Sequence, residues 1–170
     1  PETRATATGC VACGCSGLGS AATVTMAPWA KSTLVVPDAE LGDHGGTAVA
    51  SDGGWLAVGA SSNDQWATNA GRVELFQRTA TQTWAFKAHL AGAGVTHSTW
   101  FGHSLALRGT RLVAGAPGQG LAGHRTGAAH IFVRQGKGLW QQRALLTAAD
   151  AENLDNFGAS VALATDRVLV

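Results

Sequence analysis

The sequence has no tyrosine, and only 14% of its 170 residues are charged, for a net charge of +1. So balanced a chain has no basic footprint for nucleic acid. No apolar run approaches the roughly 20 residues of a membrane-spanning helix. Its three cysteines, Cys10, Cys13 and Cys15, stand together near the start with no second pair, one ligand short of a tetrahedral metal site. Six histidines are scattered without helical metal spacing. There is also no Gly-x-Ser-x-Gly elbow and no phosphate-binding loop. These absences leave no metal, no cofactor and no catalytic constellation to assign.

What the chain does have is glycine, 23 in all, and hydrophobic types at 45%. Many short apolar runs between glycine-containing turns suit an all-β chain with enough apolar surface for a core. The stretch Phe101 to Pro117, FGHSLALRGTRLVAGAP, alternates through Ser104-Leu105-Ala106-Leu107, turns at Arg108-Gly109-Thr110 and runs apolar to Gly115-Ala116-Pro117. That pattern predicts a strand, a turn and a strand.

The stretch recurs. Gly46, Gly102 and Gly158 are spaced by 56 residues, and the same offset pairs Gly71 with Gly127, Phe76 with Phe132, Arg78 with Arg134, Trp84 with Trp140 and Leu90 with Leu146. A period just beyond 50 residues points to a repeat architecture. Units fall at about 41–96, 97–152 and 153–170, the last incomplete. The first contains strands at about Gly46 to Ser51, Trp55 to Ala60, Gly71 to Arg78 and Trp84 to Ala91. The second contains them at about Gly102 to Arg108, Arg111 to Ala116, Gly127 to Arg134 and Trp140 to Thr147. Trp29 to Asp38 reads as the last strand of a preceding unit.

The Phe-Gly and Gly-Ala-Pro pair in the second unit resembles the FG-GAP repeats of the integrin alpha-chain propeller and their bacterial relatives. In the first unit the motif has drifted to Gly45-Gly46 and Gly59-Ala60-Ser61. The resemblance covers roughly Leu34 to Val170. It implies a β-propeller of four-stranded antiparallel blades, commonly seven, working outside the cytoplasm in adhesion or ligand binding. Residues 28–170 then form a partial propeller, a fragment of a longer protein, preceded by a leader or linker over residues 1–27. Ala7-Thr8-Gly9-Cys10 resembles a lipoprotein cleavage box, which would make Cys10 a lipid anchor at the cell surface; the other reading is an unstructured tail.

The loops matching the integrin-type calcium site, Ser51-Asp52-Gly53-Gly54, Arg108-Gly109-Thr110 and Ala164-Thr165-Asp166-Arg167, hold at most one acid each. A hard cation needs roughly six to eight oxygens, so no calcium is expected in these blades. Asp150, Glu152 and Asp155 read either as a cation loop or as a connection whose Asp155 caps a turn. Trp84 and Trp140 read as packing residues at the blade margin, with indole N–H groups bonded to backbone.

The loops after the second strand of each unit, Ser61 to Ala70 and Pro117 to Thr126, do not repeat. Function on a rigid β scaffold sits on such loops, and Asp64, Trp66, His124 and Arg125 are their contact-capable side chains. These four are the candidate ligand-binding residues, expected as neighbours on one rim. Two functions follow: an extracytoplasmic, non-enzymatic module that binds a protein or glycan partner, or an accessory propeller that positions a catalytic domain elsewhere in the protein.

Overall fold

A computed structural model describes residues 6–8, 23–25, 34–81, 83–120, 124–136 and 138–170. The chain divides into two compact units, Pro1–Thr33 and Leu34–Val170. In the first, β1 (Thr6–Thr8) pairs antiparallel with β2 (Thr23–Thr25). The three cysteines and Trp29 lie outside the described residues.

The second unit is all-β among its described residues. Strands β3 (Gly45–Asp52), β4 (Trp55–Ala60), β5 (Arg72–Arg78) and β6 (Trp84–Leu90) form an antiparallel meander in that order. Strands β7 (Ser104–Arg108), β8 (Arg111–Ala116), β9 (Ala128–Gln135) and β10 (Leu139–Leu146) form a second. The hairpin of β11 (Ala162–Leu163) and β12 (Val168–Leu169) begins a third. These are the four-stranded sheets expected of propeller blades, and their strands lie within two residues of the expected bounds. Leu34 to Asp38 carry no strand pairing, contrary to expectation. Proline at 37 has no N–H to give a ladder, and Leu34 and Val36 pack onto Leu56, Val58 and Phe76 instead.

Each sheet is apolar on both faces, as stacking requires. Alternation along β4 sends Trp55 and Ala57 to one side and Leu56 and Val58 to the other. Trp55, Ala57, Val73 and Leu75 of the first sheet meet Leu112, Ala114, Phe132 and Trp140 of the second in one buried cluster. Phe101, fully buried, sits edge-on to Phe132 with ring centroids 6.0 Å apart. Trp55 and Trp140 cross the junction edge-to-face at 5.7 Å, and the Arg134 guanidinium lies over both rings, at 5.2 and 5.9 Å. Trp140 is thus a packing residue. Its indole N–H finds no partner among the described residues, however, so backbone does not satisfy it.

Main chain meets main chain at the same junction. A Cβ on Gly59 would overlap the carbonyl oxygen of Gly102, and a Cβ on Gly71 would overlap that of Phe101. Gly115 and Gly127 meet Gly158 and Phe157 in the same way one unit later.

Two stability outcomes follow. Gly59→Ala should cost about 1–3 kcal/mol or more, since the methyl can fit only by separating the sheets. Gly45→Ala, where an added Cβ meets nothing within 4 Å, should change the urea midpoint far less. Trp140→Ala should cost about 3–5 kcal/mol, as large aromatic truncations in cores do. Equilibrium unfolding of the three variants beside the parent checks both; equal midpoints for the two glycine variants would refute the junction argument.

Candidate functional site

In an antiparallel meander, alternate connections emerge on opposite edges. The connections after β4, β6, β8 and β10 therefore share one edge, and the tight turns of the four hairpins share the other. On the first edge the loops interlock. The Ser98 N–H donates to Thr68 O (2.8 Å), Trp100 N–H to Asn69 O (3.1 Å) and Phe101 N–H to Ala70 O (2.9 Å). One unit later Leu154 N–H donates to Arg125 O (2.7 Å) and Phe157 N–H to Thr126 O (3.0 Å). Every loop is thus tied to the connection entering the next sheet.

Asp64 is exposed, and its Oδ1 accepts the Asn69 N–H at 2.6 Å, closing the loop on itself. Trp66 leaves 46% of its surface exposed. His124 is exposed, and the Arg125 guanidinium lies 5.0 Å above the Trp100 ring. Among the described contacts, none joins Asp64 or Trp66 to Arg125. The aromatic partner of Arg125 is Trp100, on the connection between sheets. Its left-handed φ of 52° is rare for a bulky residue. His44 (51°) and Asn156 (56°) hold the same conformation at the equivalent positions.

Beneath the first loop lies a cleft of about 260 Å³ lined by Asp38, Glu40, Asn63, Asp64, Gln65 and Arg72. Arg72 forms its floor and is 1% exposed. Its Nε donates to Glu74, its Nη1 to Asp38 Oδ2 (3.1 Å) and Gln65 Oε1 (2.8 Å), and its Nη2 to Asp38 Oδ1 (3.2 Å). Asp43 stands 3.9 Å away. His89 bridges two of these carboxylates: Nδ1 lies 2.6 Å from Glu74 Oε2, and Nε2 lies 3.2 Å from Asp38 Oδ1. Partial burial pushes the Asp38 carboxyl up, but the hydrogen bond from Arg72, its charge and that of His89 outweigh it. The carboxyl is held below its ordinary value.

This network does not repeat. The residues 56 further on from Arg72, Glu74 and His89 are Ala128, His130 and Leu145. There the buried polar contact is between His130 and Gln119, 2.6 Å from ring Nε2 to Oε1. Gln119 gives its amide N–H to Ala93 O (3.1 Å), so its Oε1 accepts and His130 Nε2 donates. The ring lies against Gly92 and edge-on to Phe101 at 5.1 Å. Burial lowers the His130 pKa from 6.5 to about 4, with the neighbouring Gln142 amide offsetting part of the shift.

Among the described residues no group of three or more His, Cys, Asp or Glu side chains is arranged to hold a metal ion. Asp52, in the loop matching the integrin-type calcium site, instead accepts the Gly109 N–H at 2.6 Å across the junction. Asp155 accepts the N–H of Glu152 (2.6 Å), and Asp43 accepts that of Glu40 (2.9 Å) at the equivalent turn. No helix among the described residues is long and apolar enough to cross a membrane.

Residues 84–132 and 140–170 match the FG-GAP repeat family. Each matched segment opens at the Trp of a fourth strand and runs into the following sheet, so the sequence unit straddles a junction. No curated protein matches the chain significantly. Those two segments are FG-GAP repeats, and the four-stranded antiparallel sheets that hold them are consistent with partial propeller blades.

The buried His130 sets an acid limit. The unfolded chain takes up this proton near pH 6.5, the native state only near pH 4. Between those values the unfolded state binds more protons, so stability falls as pH falls. The loss is on the order of 3 kcal/mol across that window. His130→Gln, a neutral hydrogen-bonding side chain of similar reach, should flatten the slope. Urea unfolding at a series of pH values checks it; an unchanged slope would mean that His130 is not the titrating group.

Proposed function

We propose that this chain is an extracytoplasmic, non-enzymatic propeller module that binds a protein or glycan partner in adhesion, through the rim of loops after β4 and β8. One observation carries the reading. On a single edge, a backbone framework that repeats from unit to unit displays side chains that do not. Trp66 is half-exposed, Asp64 and His124 face solvent, and Arg125 rests on Trp100. Tryptophan and arginine are the residues most often dominant in binding energy, because each combines large contact area with directed hydrogen bonding. The described residues of the loops are tied by main-chain bonds, which lowers the ordering entropy that opposes contact. FG-GAP repeats occur in modules that bind, which favours this reading over chemistry at the rim.

The test is simultaneous replacement of Asp64, Trp66, His124 and Arg125 by alanine in the protein as it is made. Binding to a glycan array and adhesion to a partner-bearing cell surface are the readouts. Affinity should fall at least tenfold, about 1.4 kcal/mol, with the melting midpoint nearly unchanged. Unchanged affinity would remove the rim from the binding site. A large fall in midpoint would assign these side chains to the loops' own stability.

A further inference from the structure

Charge is divided between the two edges of the sheets. The loop edge carries the exposed acids Asp38, Glu40, Asp64, Asp150, Glu152 and Asp155. The opposite edge lies about 20 Å away along the strands. Its hairpin turns carry Arg78, Arg108, Arg111 and Arg167, all exposed, and the part-exposed Arg134. The acids of that edge are already engaged: Asp52 accepts the Gly109 N–H at 2.6 Å, and Asp166 pairs with Arg167 at 2.8 Å. Among the described residues, Arg78, Arg108, Arg111 and Arg134 have no carboxylate within ion-pair distance. Arg111 gives Nη1 to the neutral Thr165 carbonyl at 2.8 Å, and Arg134 lies against the Trp55 and Trp140 rings. Its Nε and the Trp140 indole N–H are buried donors without an acceptor among the described residues, a rarity in folded chains. The turns themselves form a fixed row. Arg78 N–H donates to Gly54 O (2.8 Å), Arg134 N–H to Thr110 O (2.7 Å), and Asp52 and Arg111 each reach the turn of the next sheet.

We propose that the hairpin edge is a second binding surface, which holds a linear acidic polysaccharide of the polyuronate class through its arginines. Guanidinium is planar, always charged, and pairs with a carboxylate through two parallel hydrogen bonds. Here its charge is answered by carbonyl and indole rather than by carboxylate, so an outside carboxylate displaces no ion pair. A row of such groups at fixed spacing suits a polymer that presents one anion after another, since each contact brings the next within reach. Beside Arg78 the hydroxyls of Thr79, Thr81 and Thr83 lie 2.8 to 3.3 Å from one another and can exchange hydrogen bonds with sugar hydroxyls. Nucleic acid fits the edge less well. Single strands are held by bases stacked on accessible aromatic rings. Trp55 and Trp140 are only 4% and 7% exposed, and Trp84 packs onto the cluster of Leu56, Val58 and Phe76. The polysaccharide surface faces away from the rim, so both can be occupied together, and it does not rest on the binding role given above.

The probe is polygalacturonate, titrated calorimetrically into the protein as it is made. The unaltered protein should bind it at low salt and lose affinity steeply as salt rises and screens the exposed charges. Fully methyl-esterified polygalacturonate, the same chain without its charges, should not bind. Two double variants remove equal charge from different places. Arg78→Gln with Arg108→Gln empties part of the hairpin edge and should weaken binding about tenfold. Lys87→Gln with Arg143→Gln removes exposed charges from the middle of β6 and β10 and should leave affinity within about twofold. No binding by the unaltered protein, equal losses in the two variants, or undiminished binding of the ester would overturn the proposal. So would equally tight binding of single-stranded DNA or of anionic lipid vesicles, which would assign the edge to another class of partner. The ester comparison uses the unaltered protein and decides even where a variant fails to fold. None of these readouts involves the loop rim, so the two surfaces stand or fall separately.

Discussion

The fold depends on main chain approaching main chain where one sheet meets the next. The carbonyl of Gly102 occupies the space a Cβ of Gly59 would fill, and the carbonyl of Phe101 does the same to Gly71. No side chain can be accommodated at either position, which explains why glycine recurs there in the following unit at 115 and 127. It also explains the two halves of the motif. The glycine of Gly-Ala-Pro and that opening the third strand are the socket of one sheet; Phe-Gly is the insert of the next. Ser104 Oγ completes the second joint by donating to Gly158 O at 2.7 Å. The insert carries Phe101 into the junction, where it is wholly buried. A fully buried aromatic of this size contributes about 1.5–3 kcal/mol, and it reaches that depth only because the backbones are this close.

Once the backbones are docked, side chains pack beside them toward both ends of the sheets. At the hairpin end, Trp55 and Trp140 enclose Arg134. At the loop end, polar side chains are buried beneath the rim: His130 against Gln119 at the junction, and Arg72 with Glu74 on the opposite face of the first sheet, where Asp38 meets them. Buried charges contribute little net stability, because desolvation consumes most of the attraction. Their effect is geometric. Arg72 binds residues from three places in the chain, Asp38 before β3, Gln65 in the loop after β4 and Glu74 in β5. An apolar core at this point would stack the sheet equally well but would leave the two connections unpositioned.

The strands were readable from the sequence because period-two alternation and turn glycines act locally and the repeat supplies each strand twice. That the two non-repeating loops leave the sheets on one edge was readable as well, since both follow the second strand of a repeated unit. Three features were not. The left-handed backbone at His44, Trp100 and Asn156 repeats in conformation without repeating in residue type, so alignment of side chains hides it. Gly42, Ser98 and Leu154, at φ of 98°, 56° and 74°, behave the same way. Trp100 as the partner of Arg125 depends on tertiary contact between segments 25 residues apart. The Arg72 network was masked by its setting, since Val73-Glu74-Leu75-Phe76 scans as a nearly apolar strand. The available signal was the contrast at the repeat offset: a buried strand that carries charges at 72 and 74 where its counterpart carries Ala128 and His130 must satisfy them through residues peculiar to its own unit.

That contrast bears on how such a module acquires different functions without losing its fold. The docking glycines tolerate no change, and the apolar faces tolerate only substitutions that preserve volume. Apart from Gly118 and Gly120, where a Cβ would overlap the carbonyls of Ser98 and His124, the loop edge is held largely by main-chain bonds such as Ser98 N–H to Thr68 O and Leu154 N–H to Arg125 O, which any residue but proline can make. Side-chain identity there is available for recognition. The buried polar residues just below occupy an intermediate layer. They are deep enough that burial demands hydrogen-bond partners, yet those of Arg72, Asp38 and Gln65, lie close enough to the edge to line the cleft themselves. Arg72 and His130 thus couple the interior of each sheet to the loop above it, Arg72 through Gln65 and His130 through Gln119.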